Sequence, residues 1–138
     1  MQADEARHRD ALAWLAKAEL DLKAAAHDAS TPEQALWGDV MFHSQQAVEK
    51  SMKAFLAWHD APFRKTHNLD ELGQQCAALD PSLARLAHDA APLTEYAWKF
   101  RYPGEDSEAR RVDAEEALSV AKHVYEAIVI RLNKTAFS

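Results

Sequence analysis

Apolar residues recur along this chain at helical spacing, interrupted by a few short polar stretches. Near the front, Ala11, Leu15, Ala18, Leu22 and Ala25 alternate steps of four and three, placing them on one side of a helix over about Asp4 to His27. Alanines dominate that stripe, so it predicts a narrow packing seam. Thr31, Pro32 and Gln34 then supply an N-cap, a first-turn proline and a capping-box partner. They predict a second helix from Pro32 to about His59, stopped by Ala61-Pro62. Asn68 and Glu71 form a capping pair for a short third helix. Asp80-Pro81 opens a fourth that runs to about Arg101, with Pro92 placed to kink it and Pro103-Gly104 to end it. The last begins near Asp113 and carries Ala117, Ala121, Val124, Ile128 and Leu132 on one stripe.

Four long helices of roughly 20 to 28 residues joined by short links predict an all-α antiparallel four-helix up-and-down bundle with one additional short helix. No internal repeat or low-complexity tract divides the chain, and all of its 138 residues are expected to form a single domain. Three glycines and five prolines against 48% hydrophobic residues agree with long helices rather than strands.

On the second helix, Trp37, Met41, Ser44, Val48, Met52 and Phe55 fall on one side, and His43, Gln46, Lys50 and Lys53 on the opposite one. The first side predicts core. The second fits an ordinary solvated face, and it equally fits a row of donors for phosphate oxygens and base edges, because no acid of this helix interrupts its line. Phe42 is expected to project near that polar side, against a base or a partner subunit. Lys65, Thr66 and His67 stand just ahead of a helix start, where a phosphate can dock; the same residues also fit a plain cap, with Thr66 or Asn68 closing the helix and His67 bonding a carbonyl.

Charge changes the picture in part. The net charge of −6 argues against broad attraction to nucleic acid. The deficit sits at the front, where residues 1–49 hold four basic and nine acidic side chains, while residues 50–111 hold nine of each. Within that neutral middle, Lys50, Lys53, Arg64 and Lys65 cluster against the single acid Asp60. Cys76 is the sole cysteine, which excludes an intramolecular disulfide and fits a cytoplasmic location. No apolar run approaches the roughly 20 residues of a membrane span, and the polar, acidic start is unlike a secretion signal. Glu5-Ala6-Arg7-His8 matches one Glu-x-x-His unit of a di-iron bundle, but a second unit is missing, so no metal is expected. Nor is a cofactor, since no glycine-rich phosphate loop exists.

Three segments together resemble the HEPN family: Phe42-His43-Ser44-Gln45-Gln46-Ala47-Val48-Glu49-Lys50, then Lys65-Thr66-His67-Asn68-Leu69, then Arg101-Tyr102-Pro103. The likeness covers roughly residues 8 to 132. It implies a small helical-bundle protein that binds nucleotide or RNA phosphate, commonly as a homodimer, with some members acting as ribonuclease toxins beside a minimal nucleotidyltransferase-fold protein. Carried over by position, it implies phosphate binding by His43, Gln46, Lys50, Lys53, Lys65, His67 and Arg101. Arg101 would be the catalytic residue of a ribonuclease and Tyr102 an acceptor for nucleotide transfer.

Ribonuclease members follow that arginine, after four to six intervening residues, with a histidine. Here those positions hold Asp106, Ser107 and Glu108. A carboxylate beside a phosphate diester adds repulsion and supplies no imidazole for proton transfer. The expected function is therefore a nucleotide- or RNA-binding accessory module, partner of a minimal nucleotidyltransferase in a toxin–antitoxin-like pair. The alternatives are a dimeric, metal-independent ribonuclease using Arg101 with His43 or a histidine from the other subunit, and a dimerisation scaffold without ligand. If the long helices alternate direction, His43 lies nearer Arg101 and Lys53 nearer His67, with Arg101 and His67 far apart in one chain. The binding reading fails if these side chains are buried in salt links with no accessible cavity.

Overall fold

The computed structural model describes residues 2–31, 36–100 and 109–137, with side chains as far as Asn133. Among the described residues five α-helices follow one another: α1 (Gln2–Ala29), α2 (Trp37–Trp58), α3 (Leu69–Leu79), α4 (Ala84–Ala90) and α5 (Arg111–Phe137). Short 3₁₀ segments, Pro81–Leu83 and Ala91–Ala97, flank α4. Among the described residues there is no strand, so the expected all-helical class holds.

Helix α1 lies antiparallel to α2. His8 stacks on Trp58 with ring centroids 3.8 Å apart, Lys53 Nζ stands 5.3 Å over the Trp14 ring, and Asp21 reaches both His43 and Lys50. The alanine seam makes this approach close: Ala11, Ala18 and Ala25 are fully buried at a seven-residue spacing. Helix α5 runs parallel to α2, with the Arg111 guanidinium 5.9 Å from the Trp37 ring at one end and Val124 and Ile128 beside Met52 further along. Between them the chain climbs back from Asp80, which pairs with Arg131, to Phe100, whose Cβ lies 3.2 Å from where a Cβ on Gly38 would stand. The course is up, down, up and down, as the short links predict.

Two boundaries differ from the sequence expectation. The fourth long helix does not form, leaving three long helices of 28, 22 and 27 residues. Pro92 breaks that segment rather than kinking it, since proline lacks an N–H and its ring crowds the carbonyl four residues back. The backbone tightens there into the 3₁₀ segment Ala91–Ala97, and Thr94 Oγ1 uses the freed geometry, donating to the Ala91 carbonyl at 2.8 Å and accepting from Leu69 N–H at 3.0 Å. Helix α2 begins at Trp37, with Leu36 at its N-cap and no side-chain cap bond. Thr31, expected to open α2, closes α1 instead, its hydroxyl donating to the Asp28 carbonyl at 2.9 Å; Pro32 and Gln34 lie outside the described residues.

Helix α2 is the centre of the molecule. Its expected core side is buried throughout: Trp37, Met41, Ser44, Val48, Met52 and Phe55. The opposite side is not the wet face its residue types suggest, because α1 covers it. Gln45, Glu49, Ser51 and Lys53 are also buried. Ser44 and Ser51 satisfy themselves on carbonyls four residues back, at 2.7 Å each. No helix among the described residues is long and apolar enough to cross a membrane.

Candidate functional site on the polar side of the central helix

The turn after α2 sets the direction of everything that follows it. Asp60 takes a left-handed conformation, φ 55°, and the Ala61 N–H bonds back to the Leu56 carbonyl at 2.8 Å while the Asp60 N–H bonds to Ala57 at 3.1 Å. That is a helix C-terminal motif usually built on glycine. It turns residues 61–68 back across α2. Asn68 then caps α3, its Oδ1 accepting from the N–H groups of Asp70 and Glu71, and Thr66 Oγ1 accepts from Asn68 N–H at 3.0 Å. The Glu71 carboxylate does not complete a capping box. It takes both arms of Arg64 at 2.7 Å, which pulls that carboxyl below the usual carboxylate range.

This path lays His67 against α2. Its Nδ1 is 2.7 Å from Glu49 Oε1, and its backbone carbonyl accepts from Gln45 Nε2 at 3.3 Å. Glu49 is a buried carboxylate with three donors: His67, Gln45 Nε2 at 3.1 Å and Lys53 Nζ at 2.9 Å. Lys53 is itself buried, under the rings of Trp14 and Phe63 at 5.3 and 5.9 Å. Gln46 joins the group by donating to Gln45 Oε1 at 2.6 Å. The expected proximity of Lys53 and His67 therefore holds, through a shared carboxylate.

A second group stands further back along α2. Asp21 of α1 accepts from Lys50 Nζ at 2.6 Å and bonds His43 Nδ1 at 2.9 Å. Burial raises the Asp21 carboxyl, but the hydrogen bonds and charges of His43 and Lys50 outweigh it and hold the group below its ordinary value. Phe42 is half-buried and meets the His43 ring edge-on at 5.2 Å.

The structure thus divides the sequence-chosen residues. His43, Lys50, Lys53 and His67 all face carboxylates, Lys53 almost wholly buried and His67 largely exposed, while Lys65 is exposed and faces none among the described residues. Lys65 makes no ion pair among the described residues. Arg101 and Tyr102 lie outside the described residues; their neighbour Phe100 sits at the start of α2, level with the expectation for that end. Sequence reasoning missed Asp21, Glu49 and Gln45. Asp21 carried a signal: it is an acid on α1 next to the seam residue Leu22. Among the described residues no group of His, Cys, Asp or Glu could hold a metal ion, and His8 is instead stacked on Trp58. Cys76 is buried and its thiol pushed up to about 12, which makes it unreactive.

The fold is a helical bundle around a central helix, its polar side bridged by carboxylates that each hold a histidine and a lysine, with a basic turn at its edge. The chain belongs to the HEPN domain family, whose family model matches residues 11–132 and so covers most of its length. Membership makes it a nucleotide- or RNA-related module. No curated protein and no solved structure matches the chain.

Proposed function

We propose that this protein is a non-nucleolytic HEPN module that binds nucleotide or RNA phosphate at the α2–α3 turn and works, as a homodimer, beside a minimal nucleotidyltransferase-fold protein in a toxin–antitoxin-like pair. The observation that carries the binding site is the division of charge on the polar side of α2. Asp21 and Glu49 are each neutralised internally by a lysine, so the acids of this face do not confront a ligand, while Lys65 and His67 stand exposed at its edge. An anion arriving there meets Lys65, which has no ion-pair partner among the described residues, in a chain that is acidic overall. Lys50 and Lys53 serve the fold, and His43 and Gln46 flank the site.

The absence of cleavage is supported by Asp106, Ser107 and Glu108, which stand where ribonuclease members place histidine. Equilibrium binding of a labelled RNA oligomer, followed by anisotropy, tests the reading. Saturable binding that Lys65→Glu abolishes supports it; binding unaffected by that change overturns the site. Cleavage of the RNA that disappears in Arg101→Ala overturns the non-nucleolytic assignment. One observation favours that second reading: His43, the imidazole that this alternative pairs with Arg101, is anchored through Nδ1 on Asp21 as a proton-transfer histidine would be. Co-expression with a nucleotidyltransferase-fold protein, with mass measurement on Tyr102 and of the assembled complex, tests the pairing, the modification and the dimer.

A further inference from the structure

The α2–α3 turn holds one imidazole whose hydrogen-bonding sense is fixed by its surroundings. A carboxylate is acceptor-only; Glu49 takes the Lys53 ammonium on Oε2, and its Oε1 lies 2.7 Å from His67 Nδ1, so the proton of that bond belongs to Nδ1. In the neutral imidazole Nε2 then carries a lone pair and no hydrogen. With the side chain 61% exposed and Nδ1 engaged, Nε2 is the ring nitrogen left for a ligand. The ring cannot easily turn over. Glu49 is locked by Lys53 and Gln45, and Gln45, fully buried, also holds the His67 backbone carbonyl.

A lone pair is the wrong partner for a phosphate oxygen, which only accepts, and the right partner for a hydroxyl, which donates. Lys65, two residues away and exposed, is the group suited to phosphate. One turn therefore offers, two residues apart in the chain, an exposed cation and a hydrogen-bond acceptor, the pair of functions that a ribonucleotide's phosphate and 2′-hydroxyl require. We infer that His67 accepts a hydrogen bond from a ribose hydroxyl and makes this site select ribonucleotides over deoxyribonucleotides. The inference rests on the phosphate-binding reading above and gives His67 a role different from phosphate contact.

The test compares a labelled oligoriboadenylate with its deoxy counterpart of equal length, by anisotropy on the full chain at about pH 8.5, about two units above the usual imidazole range. The ribose oligomer should bind roughly three- to tenfold more tightly, the value of one uncharged hydrogen bond. In His67→Ala the ratio should fall to about one. His67→Lys, which puts a donor where the acceptor was, should bind both oligomers well and still show no preference. Circular dichroism and melting temperature establish that each variant is folded. Equal affinity in the wild type, or a preference that survives in folded His67→Ala, overturns the inference and leaves phosphate binding standing. Binding of neither oligomer overturns the phosphate reading and the inference together.

Discussion

Two carboxylates organise the polar side of α2, and they do so with nearly the same parts to different ends. Asp21 and Glu49 each hold one histidine through Nδ1 and one lysine through Nζ. Asp21 comes from α1 and joins two helices, with His43 and Lys50 both half-shielded. Glu49 belongs to α2, is deeper, and joins that helix to the turn before α3, where its histidine reaches solvent. The first cluster fastens α1 to α2. The second supports an exposed imidazole. A buried carboxylate beneath an open histidine costs desolvation that a purely structural contact could avoid, which is why the binding site is proposed on the Glu49 side.

The comparison breaks most visibly at Glu49. Glu49→Gln leaves the Lys53 ammonium buried beneath Trp14 and Phe63 without a counter-charge, its side chain only 8% exposed. Breaking a buried pair from one side should destabilise the fold by about 3 to 5 kcal/mol, measured by urea unfolding. A loss under about 1 kcal/mol would mean that Lys53 escapes to water and that the two clusters are alike. Asp21→Asn should cost less, about 1 to 2 kcal/mol, because Lys50 is near enough to the surface to be rehydrated.

Acid sharpens the same contrast. The Asp21 carboxyl is held below its ordinary value, so its contribution to stability is complete above the usual Asp range near 3.9 and is lost as pH falls through the lower folded value. Unfolding free energy measured against pH should therefore show the wild type and Asp21→Asn converging at the acid end. Parallel curves would show that Asp21 gains nothing from His43 and Lys50.

Much of this was written in the sequence, and the missing parts have a common cause. The alanine seam of α1, the apolar side of α2 and the stripe from Ala117 to Leu132 were legible because burial on one face imposes the helical period. The Asn68 cap was legible because its bond is local. Asp21 against His43 was not, since it depends on the register of α1 against α2, which no local pattern encodes. Glu49 stood in plain view among the family residues. Its role needed the non-glycine left-handed turn at Asp60, which swings His67 back across the helix. Pro92 was visible as a breaker, but its full effect depended on Thr94 binding the start of α3.

The smallest effects concern the histidines themselves, and their ranking decides whether the two clusters differ in purpose. His43 is 30% exposed, and His43→Ala removes one of two donors from Asp21, so a loss of about 1 kcal/mol is expected. His67 is 61% exposed, and Glu49 keeps Lys53 and Gln45 when it goes, so His67→Ala should change stability by under about 0.5 kcal/mol. Urea unfolding of both variants beside the wild type resolves this difference if the slopes agree. If His67→Ala proves the more damaging, the imidazole is a structural tie like His43, and its exposure carries no function. If it is nearly silent in stability, the geometry that Glu49 imposes on it is maintained for something outside the fold, which is the premise of the ligand-binding site.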